Sequence, residues 1–429
     1  MWGESLMRFA MVTTFYPPYG FGGDATYVRA LSRELVSRGH EVEVIHCLDA
    51  FELLRPGARP AAIEENDGVV VHRLRHRLGA LSPIVTQQTG HPGLKARALR
   101  RLLDNRFDVV NFHNISLIGG PAALKLSRAP ATLFTLHEHW LLCATHVFWK
   151  NKSRACDKRE CIACSIRSGI PPQLWRYTNL LYRALEHCDL LISPSEYTAT
   201  RHRQAGITRP ISVLPLFSAI DLPTPAPKDL PLAGPYFLYA GRVTASKGVE
   251  PLVGAFAERP GHNLVVAGDG DLLSRLQDAY ASAPNIKFVG AITQDELASL
   301  YRGATALVVP SLAPETFCLS VVEAAALGTP SLVRAGSGGP VEILTRGSGG
   351  RVYADEHHLG LELDQLANDT RLAQALGRQA RLAYERFYTR DRHVDGYLQH
   401  VERILARKAP NASGAAEPMT TRGGGNHLW

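Results

Sequence analysis

No apolar run in the 429 residues approaches the roughly 20 that a helix needs to cross a bilayer. The start, Met1 to Arg8, has neither the charged nor the apolar region of a secretion signal, so the expected location is the cytoplasm. The inner face of the membrane is the variant of that expectation. Cysteine is scarce: seven in the chain, an odd number, which with the missing signal argues against a disulfide framework. The basic stretches, His72 to Arg77 and Lys95 to Arg101, lack the interleaved aromatic rings of a nucleic-acid platform. A nucleic-acid partner is not expected. The formal net charge of +7 is modest for this length and reads as a solvated surface, or as attraction to an anionic ligand or phospholipid surface.

The length exceeds one ordinary core and predicts two domains. Buried-strand patterns at Phe9–Thr14, Glu41–Cys47, Val69–Leu74, Asp108–His113, Ala131–Leu136 and Asp189–Ser193 alternate with helical spacing, as over Asp24–Arg38. A proline-rich stretch from Asp221 reads as a linker. The alternation resumes at Tyr236–Ala240, Asn263–Ala267, Ile286–Val289, Thr305–Val309 and Ser331–Arg334. A helix is expected over Phe317–Leu327, stopped by Gly328, and a last long helical stretch over Arg371–Arg407. The fold class is therefore α/β, with two doubly wound, Rossmann-like parallel sheets facing each other across a cleft. The expected division is residues 1–214, a linker at 215–232, a second domain at 233–385, a helix at 386–407 that can pack back on the first domain, and a disordered tail at 408–429.

Ligands of such sheets sit at the carboxyl ends of strands, and the motifs fall there. Gly22 and Gly23, after the first strand, let the backbone approach a ligand at a helix start. Arg242 and Lys247, in Gly241-Arg-Val-Thr-Ala-Ser-Lys-Gly, suit a diphosphate: one is a rigid donor fork, the other a compact charge. Gly268 and Gly270 follow the next strand; alone this pattern is common to many α/β turns. The most specific block runs from Pro310 to Pro330. Glu315 precedes a helix and Glu323 lies within it, each able to accept from a sugar or ribose diol. The N–H groups of Phe317, Cys318 and Leu319 would open that helix toward a phosphate.

These residues resemble the donor-binding half of glycosyltransferase family 4, whose architecture is called GT-B. The family's two glutamates, with seven residues between them, match Glu315 and Glu323; its Arg and Lys match Arg242 and Lys247; its glycine pair matches Gly22 and Gly23. The resemblance implies a retaining transfer of a sugar from a UDP- or GDP-sugar to a hydroxyl of a glycan, a lipid-linked or a small-molecule acceptor. It implies that Arg242 and Lys247 neutralise the leaving diphosphate, Glu323 holds the ribose, and Glu315 contacts the donor sugar. His137 resembles the family's histidine that reaches the donor from the acceptor half; His113 and Asn114 are weaker candidates. The family's Asn-Gly-Val-Asp segment is reduced here to Asp221, which receives no role. No catalytic cofactor is expected, and no Asp-X-Asp motif is placed to hold a diphosphate-bound metal. A sugar-nucleotide epimerase or a non-catalytic sugar-nucleotide binder would share the frame; the complete set of four charged residues argues against a dead site.

Cys143, Cys156, Cys161 and Cys164 form a cluster with 12, 4 and 2 intervening residues. Cys161 and Cys164 have the spacing of a chelating pair, and a structural zinc site is expected, with His146 as a substitute ligand. Free thiols or an iron–sulfur cluster remain the alternatives. A subset of family 4 carries a similar cysteine-rich insertion at this place.

Overall fold

A computed structural model describes residues 6–20, 22–57, 67–104, 107–218, 220 and 234–409. The expected linker falls largely outside these residues, as do Asp221 and nearly all of the expected tail.

The chain runs through β1 (Arg8–Val12), β2 (Glu41–Cys47), β3 (Val70–Leu74), β4 (Val109–Phe112), β5 (Ala131–Thr135), a short hairpin of β6 (Trp149–Lys150) and β7 (Arg154–Ala155), β8 (Leu190–Ser193) and β9 (Ile211–Val213). It continues through β10 (Tyr236–Ala240), β11 (Asn263–Ala267), β12 (Ile286–Gly290), β13 (Ala306–Val309), β14 (Ser331–Arg334) and β15 (Gly350–Tyr353). Seven strands form one sheet in the order β3-β2-β1-β4-β5-β8-β9, and six form a second in the order β12-β11-β10-β13-β14-β15. Both are parallel throughout. Helices cover both faces, so strands such as Val-Val-Asn-Phe of β4 are buried along their whole length. In each sheet the strand order reverses beside the first strand, between β1 and β4 and between β10 and β13. The crevice of a doubly wound sheet opens at that reversal.

Local chemistry sets the element ends. The Gly23–Ser37 helix buries Ala25, Val28, Leu31 and Leu35, and Gly39 turns the chain away at φ 87. Two strands of the large sheets escape the apolar pattern. β9 is three half-buried residues bounded by Pro210 and Pro215, and β15 opens with Gly350, where a side chain would overlap the Ser331 carbonyl. The final helical stretch is two helices, Thr370–Phe387 and Arg390–Lys408, because Thr389 adopts an extended conformation as the cap of the second.

The Arg390–Lys408 helix lies on the first sheet, against β5 and the Gly23–Ser37 helix. Its Tyr397 hydroxyl accepts from the Asn111 amide at 3.2 Å, and His393 Nε2 pairs with the Tyr27 hydroxyl at 2.7 Å. Arg38 binds both Asp391 and Asp395. Val394 and Val401 are fully buried beneath it.

Candidate active site

The loops that follow β10 and β13 meet at the reversal of the second sheet. Lys247 Nζ donates to Glu315 Oε2 at 2.6 Å, and the Ser311 hydroxyl donates to Glu315 Oε1. Glu315 is also fixed along its backbone. Its N–H bonds the Ser337 carbonyl at 2.8 Å, and its carbonyl accepts from Gly339 N–H at 2.9 Å. Gly248 allows the two loops to touch: it sits at φ 69, and a side chain there would overlap the Pro310 carbonyl. Leu312 and Ala313 then bond the Ser246 carbonyl at 3.0 and 2.9 Å. Arg242, on the same loop, is exposed, and its carbonyl accepts from the Tyr239 hydroxyl at 2.6 Å.

Gly268 and Gly270 have a packing reason for lacking side chains. A Cβ on either would overlap the carbonyls of Gly241 and Val243, so the two glycines let the 268–270 turn support the Arg242 loop from behind. Val243 N–H bonds the Asp269 carbonyl at 2.9 Å in the same contact.

The helix carrying Glu323 begins at Leu319 rather than Phe317, with Cys318 at its cap position and no side-chain cap. Phe317 and Cys318 are therefore buried residues before the first turn, and the helical N–H groups start at Leu319. Burial pushes the Cys318 thiol up to about 12, so it stays protonated. Glu323 accepts from the Tyr301 hydroxyl at 2.9 Å; burial raises its carboxyl above the usual range, and that bond offsets only part of the rise.

The first half meets this surface directly. His137 follows β5, and its carbonyl accepts from the Thr316 hydroxyl at 2.7 Å, one residue from Glu315. Its Nε2 pairs with His113 Nδ1 at 2.9 Å. The Tyr27 ring lies 5.1 Å from it. Burial, with the His393 charge, lowers His137 to about 3, and burial holds His113 well below its usual value. Both imidazoles are thus neutral near pH 7. Gly22 caps the Gly23–Ser37 helix at φ 96, and a Cβ on Gly23 would lie 2.8 Å from Leu319 Cδ1. Two helix starts, one from each half, therefore approach head to head. Ser195 and Thr198 hydroxyls donate to the Thr316 carbonyl at 2.6 and 3.1 Å. Glu342 accepts the Glu196 and Tyr197 N–H groups at 3.0 and 2.8 Å, so a carboxylate of one half caps the Glu196–Gln204 helix of the other.

Several residues here were not legible beforehand. Asp24 accepts from the Asn114 amide at 3.3 Å, and burial plus the Glu138 carboxylate raise it to about 6. Glu138 pairs with His146 Nδ1 at 2.7 Å. Tyr301 and Glu342 act from distant sequence positions, Ser311 acts from four residues before Glu315 in the same loop, and Asp24, an acidic residue at a helix start, left a local signal. The four clustered cysteines stand away from the cleft chemistry and line a small cavity of their own. Among the described residues, no three His, Cys, Asp or Glu side chains are grouped to hold a metal ion as they stand.

The sequence profile described as Glycosyltransferase Family 4 matches residues 21–217, and that described as Glycosyl transferases group 1 matches residues 224–383. An uncharacterised glycosyltransferase of Methanocaldococcus jannaschii is 26% identical over 364 residues, 79% of this chain and 83% of that one. A D-inositol 3-phosphate glycosyltransferase of Mycolicibacterium smegmatis is 31% identical over 156 residues, covering 33% of this chain and 35% of that one. Among solved structures, a sucrose-phosphate synthase from Thermosynechococcus elongatus superposes with a TM-score of 0.73 at 20% identity, covering 94% of this chain and all of that one. HepE of Anabaena superposes at 0.65 and 18% identity, over 94% of this chain. With two reversing parallel sheets that meet across a cleft and both halves matched, the chain belongs to glycosyltransferase family 4 and has the two Rossmann-like domains of the GT-B fold.

Proposed function

We propose that this glycosyltransferase moves a sugar from a UDP- or GDP-sugar to an acceptor hydroxyl with retention of anomeric configuration. The observation that carries the reading is the Lys247–Glu315 pair, 2.6 Å apart, at the reversal of the second sheet. A cation and a carboxylate fixed side by side there suit the two ends of the bond that breaks, the diphosphate and the sugar. HepE of Anabaena is solved with UDP-glucose, which supports a nucleotide-sugar donor here.

In this reading the donor's diphosphate draws Lys247 to itself and takes the exposed Arg242 fork as a second partner. The helix start at Leu319 adds N–H groups for the negative charge that grows as the sugar leaves. Glu315, freed from Lys247 but still held by Ser311, accepts from the sugar hydroxyls. Glu323 accepts from the ribose. Gly22 and Gly23 bring the opposing helix start near the same phosphate. His137 faces the sugar as a neutral imidazole. The acceptor hydroxyl attacks from the side the leaving group occupies, and the departing phosphate oxygen takes its proton.

The acceptor half leaves Leu78, Leu81, Ile84 and Leu94 exposed near Arg75 and Arg77 in the chain. That composition supports a lipid-linked acceptor reached by peripheral contact with an anionic membrane, over a free glycan or small molecule. A thermal-shift panel of nucleotide sugars tests the donor, because a bound donor raises the melting temperature by mass action. Nuclear magnetic resonance of the product tests retention; an inverted anomer sinks the mechanism. A donor consumed without any acceptor sinks transfer in favour of epimerisation.

A further inference from the structure

The cysteine insertion is built the wrong way round for a segment held by apolar packing. Its Cys161–Arg167 helix leaves Ile162 and Ile166 exposed, at 44% and 62%, and buries only Ser165. The face it turns inward carries Cys161 and Cys164, three residues apart and therefore on one side of the helix. Cys143 arrives from a turn whose N–H bonds the His139 carbonyl at 2.8 Å, and Cys156 from the end of β7, its N–H on the Phe148 carbonyl at 2.7 Å. All four line one cavity of about 20 Å³, room for a single water-sized species. All four are free thiols.

We infer that Cys143, Cys156, Cys161 and Cys164 close on one zinc ion as a tetrathiolate site that holds the insertion folded, apart from the transfer reaction. Four sulfur donors, a helical pair among them, match the tetrahedral preference of a structural zinc. The surroundings suit thiolates. Asn151 N–H already donates to Cys164 Sγ at 3.3 Å, from a turn in which Asn151 and Lys152 hold left-handed backbone angles of φ 56 and 58. Lys150 and Lys158 line the cavity, Lys150 paired with Asp157 and Glu160 at 3.1 and 3.0 Å, and Arg176 lies near Cys143 and Cys161, so cations stand beside the net negative charge that four thiolates and one zinc would carry. Binding asks the side chains to turn inward from their present positions, which do not yet form a coordinating group, and each ligand releases its thiol proton to solvent. The site would also steady the segment after His137, because Arg176 donates to the Trp140 and Leu141 carbonyls at 2.8 and 3.3 Å and stacks on Trp175.

The test is elemental analysis of tag-free protein purified under reductant. The expected result is about one zinc per chain in the wild type and in Cys188→Ala, and near none in Cys161→Ser or Cys164→Ser. Cobalt loaded in place of zinc should give the intense visible bands of tetrahedral thiolate coordination. Should the serine variants fail to fold, mercurial titration of the wild type decides: zinc should leave with four thiol equivalents, and hydrogen exchange should rise within residues 139–179 while the two sheets stay protected. Metal-free protein whose cluster thiols react at once overturns the site. So does bound iron with visible absorption, or zinc that persists in both serine variants.

Discussion

The two halves present opposite surfaces to the cleft. The second sheet offers fixed charge: Lys247 against Glu315, with Arg242 beside them, on loops pinned by backbone contacts. The first sheet offers neutral rings, His113, His137 and Tyr27, kept uncharged by burial. The contrast teaches a division of labour. On the proposed transfer, the diphosphate leaving group would meet positive charge placed before it forms, and the acceptor hydroxyl would meet a polar but uncharged setting.

The sharpest way to break this comparison is to remove the charge. Lys247→Ala and Glu315→Ala should each lower kcat by roughly 10²–10³, the scale of losing one transition-state contact. The melting temperature should stay near wild type. The double variant should cost about the product of the two, because the bound donor parts the pair and each residue then holds a different part of it. Near-normal turnover in either single variant removes the site assignment.

A smaller effect is expected where the halves touch. Gly23→Ala sets a methyl 2.8 Å from Leu319 Cδ1, so the helix starts must part. Transfer should fall several-fold and recover in Gly23→Ala with Leu319→Ala. A loss that Leu319→Ala does not relieve would mean the two halves do not meet there during turnover.

Next is Asp24, the charged exception on the neutral side. Its carboxyl is raised from 3.8 to about 6, so the folded chain binds the proton more tightly than the unfolded chain. The resulting stabilisation is complete below about 3.8 and is lost as pH rises through about 6. Asp24→Asn should therefore raise the melting temperature by a few degrees at pH 7.5 and change it little at pH 4. An equal shift at both values refutes a buried carboxylate. The smallest effect is a silence: with its pKa near 3, His137 should show flat imidazole resonances from pH 5 to pH 8. An inflection near 6.5 would place it in solvent.

Much of the frame was legible because buried parallel strands announce themselves as short apolar runs. β2, β10, β11 and β14 begin and end where the apolar pattern does. β15 was not, since Gly350 reads as a turn and is a strand only because Ser331 lies against it. The split at Thr389 was hidden because apolar residues at helical spacing lie on both sides of it and no glycine or proline stands between them. At the site, motifs directly after strands could be read from their position. Tyr301 on Glu323 and Glu342 on the Glu196–Gln204 helix could not, because nothing in a side chain's local sequence says which distant loop it will meet; Ser311, four residues before Glu315 in the same loop, was within reach of a local reading. The glycines at 268 and 270 carried a true signal, close backbone approach, with a second backbone as the neighbour.

The Arg390–Lys408 helix has a practical consequence for exchange between relatives. The polypeptide leaves the first half near residue 218 and comes back to it near 390, so the two structural bodies are not two sequence halves. A chimera that swaps everything after the crossing would import a foreign lid over Asn111 and Tyr27 along with the new second sheet. A graft spanning about 234 to 388 should keep the recipient's own lid and fold where the longer one fails.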